Sequence, residues 1–135
     1  MKTLAGLATT ILLALGAATA AAAPSTTAST SLGGAPTSGQ TLAVTFTLFT
    51  TKPVVPYEYA LENVCITTRS AGHYTIGQHD EIVTWTDTDD GTPTGNPQVT
   101  MPVYLQSVPT GSSCRVSLVT STTAVKGSTM EYTVG

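Results

Sequence analysis

The chain has 135 residues, 10% of them charged, with five Lys/Arg against eight Asp/Glu and a formal net charge of −3. This balance excludes a protein that grips nucleic-acid phosphates through a basic face, and it leaves no polybasic segment for an anionic membrane. The length fits one domain with a modest core.

The first residues, MKTLAGLATTILLALGAATAAAAP, place Lys2 before a short apolar run, Leu4 to Leu15, followed by small residues with A-x-A spacing. That is the pattern of a secretory signal peptide over residues 1–20, cleaved after Ala20. The apolar run is too short for a membrane span, and Thr9-Thr10 interrupts it. Removing 1–20 takes away Lys2 and no acid, so the mature net charge is −3 − 1 = −4. Residues 21–40 are rich in Ser, Thr, Ala, Gly and Pro, with little bulk. They read as a flexible N-terminal arm suited to O-glycosylation. The folded domain is expected over 41–135.

From Thr41 the pattern changes to strict alternation. Leu42, Val44, Phe46 and Leu48 share one face, and Thr41, Ala43, Thr45 and Thr47 share the other. Period two with β-branched and aromatic residues predicts a strand. The two prolines in KPVVPYEY read as a connection, with a turn as the one helical candidate around Tyr57 to Asn63. ENVCITT is a β-branched run carrying Cys65, and His73 to Ile76 is ambiguous. EIVTWTDT predicts a strand with Val83 and Trp85 inward and Ile82 outward, ending in the turn-rich DDGTPTGNP. QVTMPVYLQ puts Val99, Met101, Val103 and Leu105 inward and Tyr104 outward. Its Pro102 lacks a ladder donor, which predicts an edge strand or a bulge. CRVSLVTST then turns Cys114, Val116 and Leu118 inward, and TMEYTV turns Met130, Tyr132 and Val134 inward. Recurrent alternation with Gly/Pro punctuation predicts an all-β antiparallel sandwich of about seven strands.

In an oxidising compartment the only two cysteines, Cys65 and Cys114, are expected to form one disulfide. The order Cys65, Trp85, Cys114 resembles immunoglobulin domains, in which a tryptophan packs on the disulfide; the place two residues before the second cysteine, a tyrosine there, is Ser112 here. The resemblance implies an immunoglobulin-like sandwich architecture. In overall plan the chain resembles small secreted proteins of fungi.

Five of the eight acidic residues, Asp80, Glu81, Asp87, Asp89 and Asp90, lie between positions 80 and 90. An EF-hand is excluded because its fifth and twelfth positions are Gly91 and Gln98. The leading reading is a solvated turn. The alternative is an inter-strand calcium site on Asp87, Asp89 and Asp90, and calcium is the one cofactor the sequence suggests. Paired carboxylates at Asp80, Glu81, Asp87 or Asp89 would serve a glycan-active hydrolase, the second functional reading. His73 and His79 have no recognised ligand spacing and read as surface histidines. Tyr57, Tyr59 and Tyr104 are candidate stacking residues for sugar rings, while Trp85 reads as core. No catalytic motif is complete. The expectation is therefore a small secreted non-catalytic binding protein, effector-like or wall-associated, whose partner is an extracellular protein or a cell-wall glycan. Expressed in a secreting host, the mature protein should begin at Ala21; intact mass retaining residues 1–20 would contradict the signal-peptide reading.

Overall fold

The structure is a computed structural model, and it describes residues 26–50, 59–69, 72–83, 96–121 and 123–135. Among these there is no helix. Eight strands run in order: β1 Thr26–Leu32, β2 Thr41–Thr50, β3 Tyr59–Arg69, β4 Gly72–Glu81, β5 Gln98–Tyr104, β6 Ser113–Thr120, β7 Thr123–Ala124 and β8 Met130–Thr133. They form two antiparallel sheets. One has the order β1-β2-β5, and the other the order β4-β3-β6, with β7 and β8 both pairing with β6. The all-β sandwich-like class is as the alternation predicts.

The core lies between the sheets. Leu42, Val44, Phe46 and Leu48 of β2 are buried, and they face Leu61, Cys65, Cys114, Val116 and Leu118 of the other sheet. Val99 and Val103 of β5, with Leu105 and Val134 just beyond strand ends, complete it. Each of these larger side chains stabilises the fold by about 1.5–3 kcal/mol relative to exposure.

Several expectations change here. Thr26–Leu32, read as part of a flexible arm, is a strand paired over its whole length with β2, from Thr26↔Thr50 to Leu32↔Val44. Its inward residues are small, with Ala28 buried and Leu32 partly so, which is why its own pattern is faint. The turn expected at Tyr57 to Asn63 is, from Tyr59 on, the start of β3. His73 to Ile76 belongs to β4. At the end of β4 the phase is opposite to the reading: Ile82 is 1% exposed and Val83 is 70% exposed. The inward positions of β4 are the even ones, set by its register with β3 (Cys65↔Ile76, Asn63↔Gln78), and Ile82 continues that phase by donating its N–H to Tyr59 O at 2.9 Å. Pro102 does lie in an edge strand, since β5 ends its sheet.

Among the described residues, hydrogen bonds join the sheets on both flanks and at one end, where Gly135 N–H donates to Pro36 O and Ser38 N–H donates to Gly135 O, both at 2.9 Å. On one flank, Ala28 N–H donates to Lys126 O at 2.9 Å, and the Thr30 hydroxyl donates to Ser128 O. Gly127 permits this approach. Its φ is +88°, and a Cβ there would lie 2.6 Å from Ala28 O. Next to it, buried Ser128 replaces missing ladder contacts between β7 and β8, accepting Leu118 N–H at 3.1 Å and donating to Val125 O at 2.7 Å. On the other flank Gln78 bridges the sheets, as described below.

The disulfide Cys65–Cys114 is present, and it lies within the five-stranded sheet. The two cysteines are register partners on β3 and β6 with Cα atoms 4.0 Å apart. In immunoglobulin domains the corresponding bridge joins the two sheets. Here it clamps neighbouring strands that are 49 residues apart in the chain. Replacing both cysteines, Cys65→Ala with Cys114→Ala, should lower the unfolding free energy in urea by about 2–4 kcal/mol; an unchanged midpoint would contradict a stabilising clamp.

Candidate binding faces

The sandwich offers two outer sheet faces, and they differ in chemistry. On the five-stranded sheet the register sets His79 beside Glu62, Glu62 beside Ser117, Val64 beside Arg115, and Arg115 beside Glu131. These residues, with His73 and Glu81, point outward, so this face carries mixed charge. His79 Nδ1 lies 3.5 Å from Glu62 Oε2, with both side chains about half exposed. A pair this exposed contributes about 0–1 kcal/mol. A shallow concavity of about 500 Å³ is lined by Tyr59, Ala60, His79, Glu81, Val119, Thr120 and Ser121. A second, of about 340 Å³, lies over Val64, Ile66, Arg115, Glu131 and Tyr132.

The carboxylates expected to pair for hydrolysis do not converge where they are described. Asp80 and Glu81 are consecutive in β4, so they project to opposite sides of the sheet. Glu81 is exposed on the outer face, whereas Asp80 turns to the seam and accepts a hydrogen bond from Gln78 Nε2 at 2.7 Å. Among the described residues no three His, Cys, Asp or Glu side chains cluster so as to hold a metal. Asp87, Asp89, Asp90, Tyr57 and Trp85 lie outside the described residues.

The outer face of the three-stranded sheet is different. None of its strand residues, TTASTSL, TLAVTFTLFT or QVTMPVY, is charged. The register arranges the outward residues in cross-strand rows: Thr27–Phe49, with Phe49 exposed, then Ser29–Thr47–Gln98, Ser31–Thr45–Thr100, then Ala43–Pro102, then Thr41–Tyr104. Successive rows are about 6.8 Å apart, two residues along a strand. Hydroxyls and amides tie neighbours together: Thr45 Oγ1 and Thr100 Oγ1 are 2.9 Å apart, Gln98 Nε2 donates to Thr47 Oγ1 at 3.1 Å, and Gln106 Nε2 donates to Thr41 Oγ1 at 2.9 Å. Such pairs hold the polar groups in fixed positions while leaving them lone pairs and hydrogens for a further partner.

One row is low. Gly33, just past the end of β1, donates its N–H to Ala43 O at 2.7 Å, which extends the Ala43–Pro102 row across a third segment. A Cβ on Gly33 would meet Ala43 Cβ at 3.0 Å, so glycine keeps this crossing close. Gly33, Ala43 and Pro102 form an apolar floor without long side chains. Hydroxyl rows flank it, and Tyr104, 53% exposed, stands at its side.

Gln78 fixes that side. From β4 its Nε2 donates to Pro102 O at 2.9 Å, and its Oε1 accepts Tyr104 N–H at 2.9 Å. One side-chain amide thus mimics the donor–acceptor pair of a neighbouring strand and satisfies the β5 edge where Tyr104 emerges. The two tyrosines read as stacking candidates and described here differ sharply: Tyr104 is exposed, whereas Tyr59 is 7% exposed and packs in the core cluster, its ring covered by apolar neighbours. The uncharged face itself was not singled out from the sequence, although the absence of charge in the strand segments and the outward threonines of β2 were its signal.

Beneath the mixed-charge face, Tyr132 donates its hydroxyl proton to Asn63 Oδ1 at 2.7 Å, and Asn63 Nδ2 lies 3.4 Å from Cys65 Sγ. Burial pushes the Tyr132 phenol above its ordinary value of 10.0.

No protein-family model matches this chain, and no curated protein matches it in sequence. The geometry of the Tyr132 site has a pH consequence. A raised value means that the folded state favours the protonated phenol, so the associated stability is present below pH 10.0 and is lost as pH rises through the folded value. Tyr132→Phe, which leaves Asn63 Oδ1 without its donor, should cost roughly 1–3 kcal/mol at neutral pH. The gap between wild type and variant should narrow in alkali; urea titrations giving parallel stability curves up to pH 11 (about one unit above the free phenol) would contradict it.

Proposed function

We propose that the protein is a small, secreted, non-catalytic binding protein that acts outside the cell through a sheet face. The observation that carries this reading is the segregation of the two outer faces. One is an uncharged array of paired hydroxyls and amides with two exposed aromatic rings, Tyr104 and, at the far end, Phe49. Of the charged strand residues, Glu62, Glu81, Arg115 and Glu131 project from the other, and Asp80 turns to the seam between them. An array of this kind suits recognition: its groups are positioned by the sheet, so little side-chain entropy is lost when a partner binds. The signal-like start of the chain supports an extracellular or cell-wall setting. The opposite facing of Asp80 and Glu81 weighs against a carboxylate pair built on those two neighbours.

The test is to incubate the mature protein with cell-wall polysaccharides and to measure released reducing ends alongside retention on the solid. Retention without release is the expected result. Release that disappears in Asp87→Asn with Asp89→Asn, while the fold is kept, would replace this reading with a hydrolase.

A further inference from the structure

The uncharged face narrows the partner. We infer that the floor formed by Gly33, Ala43 and Pro102, with Tyr104 at its side, is a binding site for one uncharged β-linked polysaccharide chain laid across the strands. The inference rests on the binding-protein reading and specifies its ligand.

Four features of the face lead there. The first is charge: the described strand residues of the face carry none, the charges beside it (Lys126 along β1, Asp80 behind Gln78) lie at its two edges, and a polyanion meets a chain of net charge −4 after loss of Lys2 (−3 − 1). The second is the floor. The flat C–H face of a pyranose ring is apolar, and Ala43 and Pro102 with the bare Gly33 offer a matching apolar strip. The third is the flanks. In a β-linked chain of equatorial sugars the hydroxyls lie around the ring edge. The hydroxyl row Ser31–Thr45–Thr100 on one side, and Thr41 with Gln106 on the other, present donors and acceptors about 6.8 Å from the floor row. The fourth is Tyr104, whose exposed ring provides a stacking surface and whose backbone is held by Gln78 on one edge. A protein partner of ordinary interface character would instead find a face with hydroxyls in place of a contiguous apolar centre.

The experiment is co-sedimentation of the full mature protein with microcrystalline cellulose and with colloidal chitin, with polygalacturonate beads as the charged counter-probe. Three variants accompany it: Tyr104→Ala, which removes the ring; Ala43→Gln, which fills the floor from an exposed strand position; and Ile66→Ala on the opposite sheet face. Melting temperatures identify any variant that fails to fold, and the two face variants are independent of each other. The expected result is retention on at least one neutral glycan and none on polygalacturonate. Tyr104→Ala and Ala43→Gln should each weaken retention roughly tenfold, and Ile66→Ala should leave it unchanged. Retention on neither neutral glycan, a preference for polygalacturonate, or full retention by both folded face variants would overturn the inference. Binding that survives both face variants without release of reducing ends would leave the binding-protein reading standing. Release of reducing ends would remove that reading whatever the variants do.

Discussion

Burial of Leu42, Val44, Phe46 and Leu48 along one side of β2 is the constraint on which the rest depends. A strand has period two, so committing these four to the core commits Thr41, Ala43, Thr45 and Thr47 to the outside. A register slip of one residue would bury the threonines and expose the apolar row, which prohibits it. β2 is the central strand of its sheet, and it imposes its phase on β1 and β5 through pairing on both sides. The uncharged outer face is therefore a geometric consequence of the core. Its rows are as regular as the ladder that sets them.

The closing of the sandwich relies on local substitutes for strand pairing. Gln78 supplies a donor and an acceptor to the β5 edge, Ser128 does the same for β6, and Gly127 lets the chain approach β1 where any side chain would collide. Each protects an edge that would otherwise present open hydrogen-bonding groups. The Gln78 contact has a second effect, since it fixes the backbone from which Tyr104 projects. The disulfide acts elsewhere, between β3 and β6 in the other sheet, and leaves the uncharged face untouched.

Much of the fold was legible because several strands carry bulky residues at alternate positions. β2, β5, β6 and the residues leading to Val134 could be phased from sequence, and Pro102 marked an edge because it has no N–H to donate. β1 was not legible as a strand: Ala28 and Thr30 bury little, and the segment is ordered by pairing with β2 and by the Lys126 and Ser128 contacts, which come from nearly a hundred positions away. The phase at Ile82 was misread because Val83 and Trp85 formed a plausible inward pair, whereas the register with β3 decides it. Tyr104 was legible as outward from its neighbours Val103 and Leu105. Tyr59 was not legible as core, since the prolines before it concealed the start of β3. The site as a face was beyond the sequence pattern alone, because the row Gly33–Ala43–Pro102 joins three segments that only the register brings together.

In the proposed function the uncharged face of the three-stranded sheet is the surface through which the protein works. Backbone amide chemical-shift mapping with a soluble neutral β-linked hexasaccharide, long enough to cross three strands set about 4.8 Å apart, tests it most directly. Shifts confined to Gly33, Ala43, Thr45, Thr100 and Tyr104 are expected, with Glu62, His79 and Glu81 unmoved. Shifts centred on His79 and Glu81 instead, with the Ala43 row silent, would contradict it.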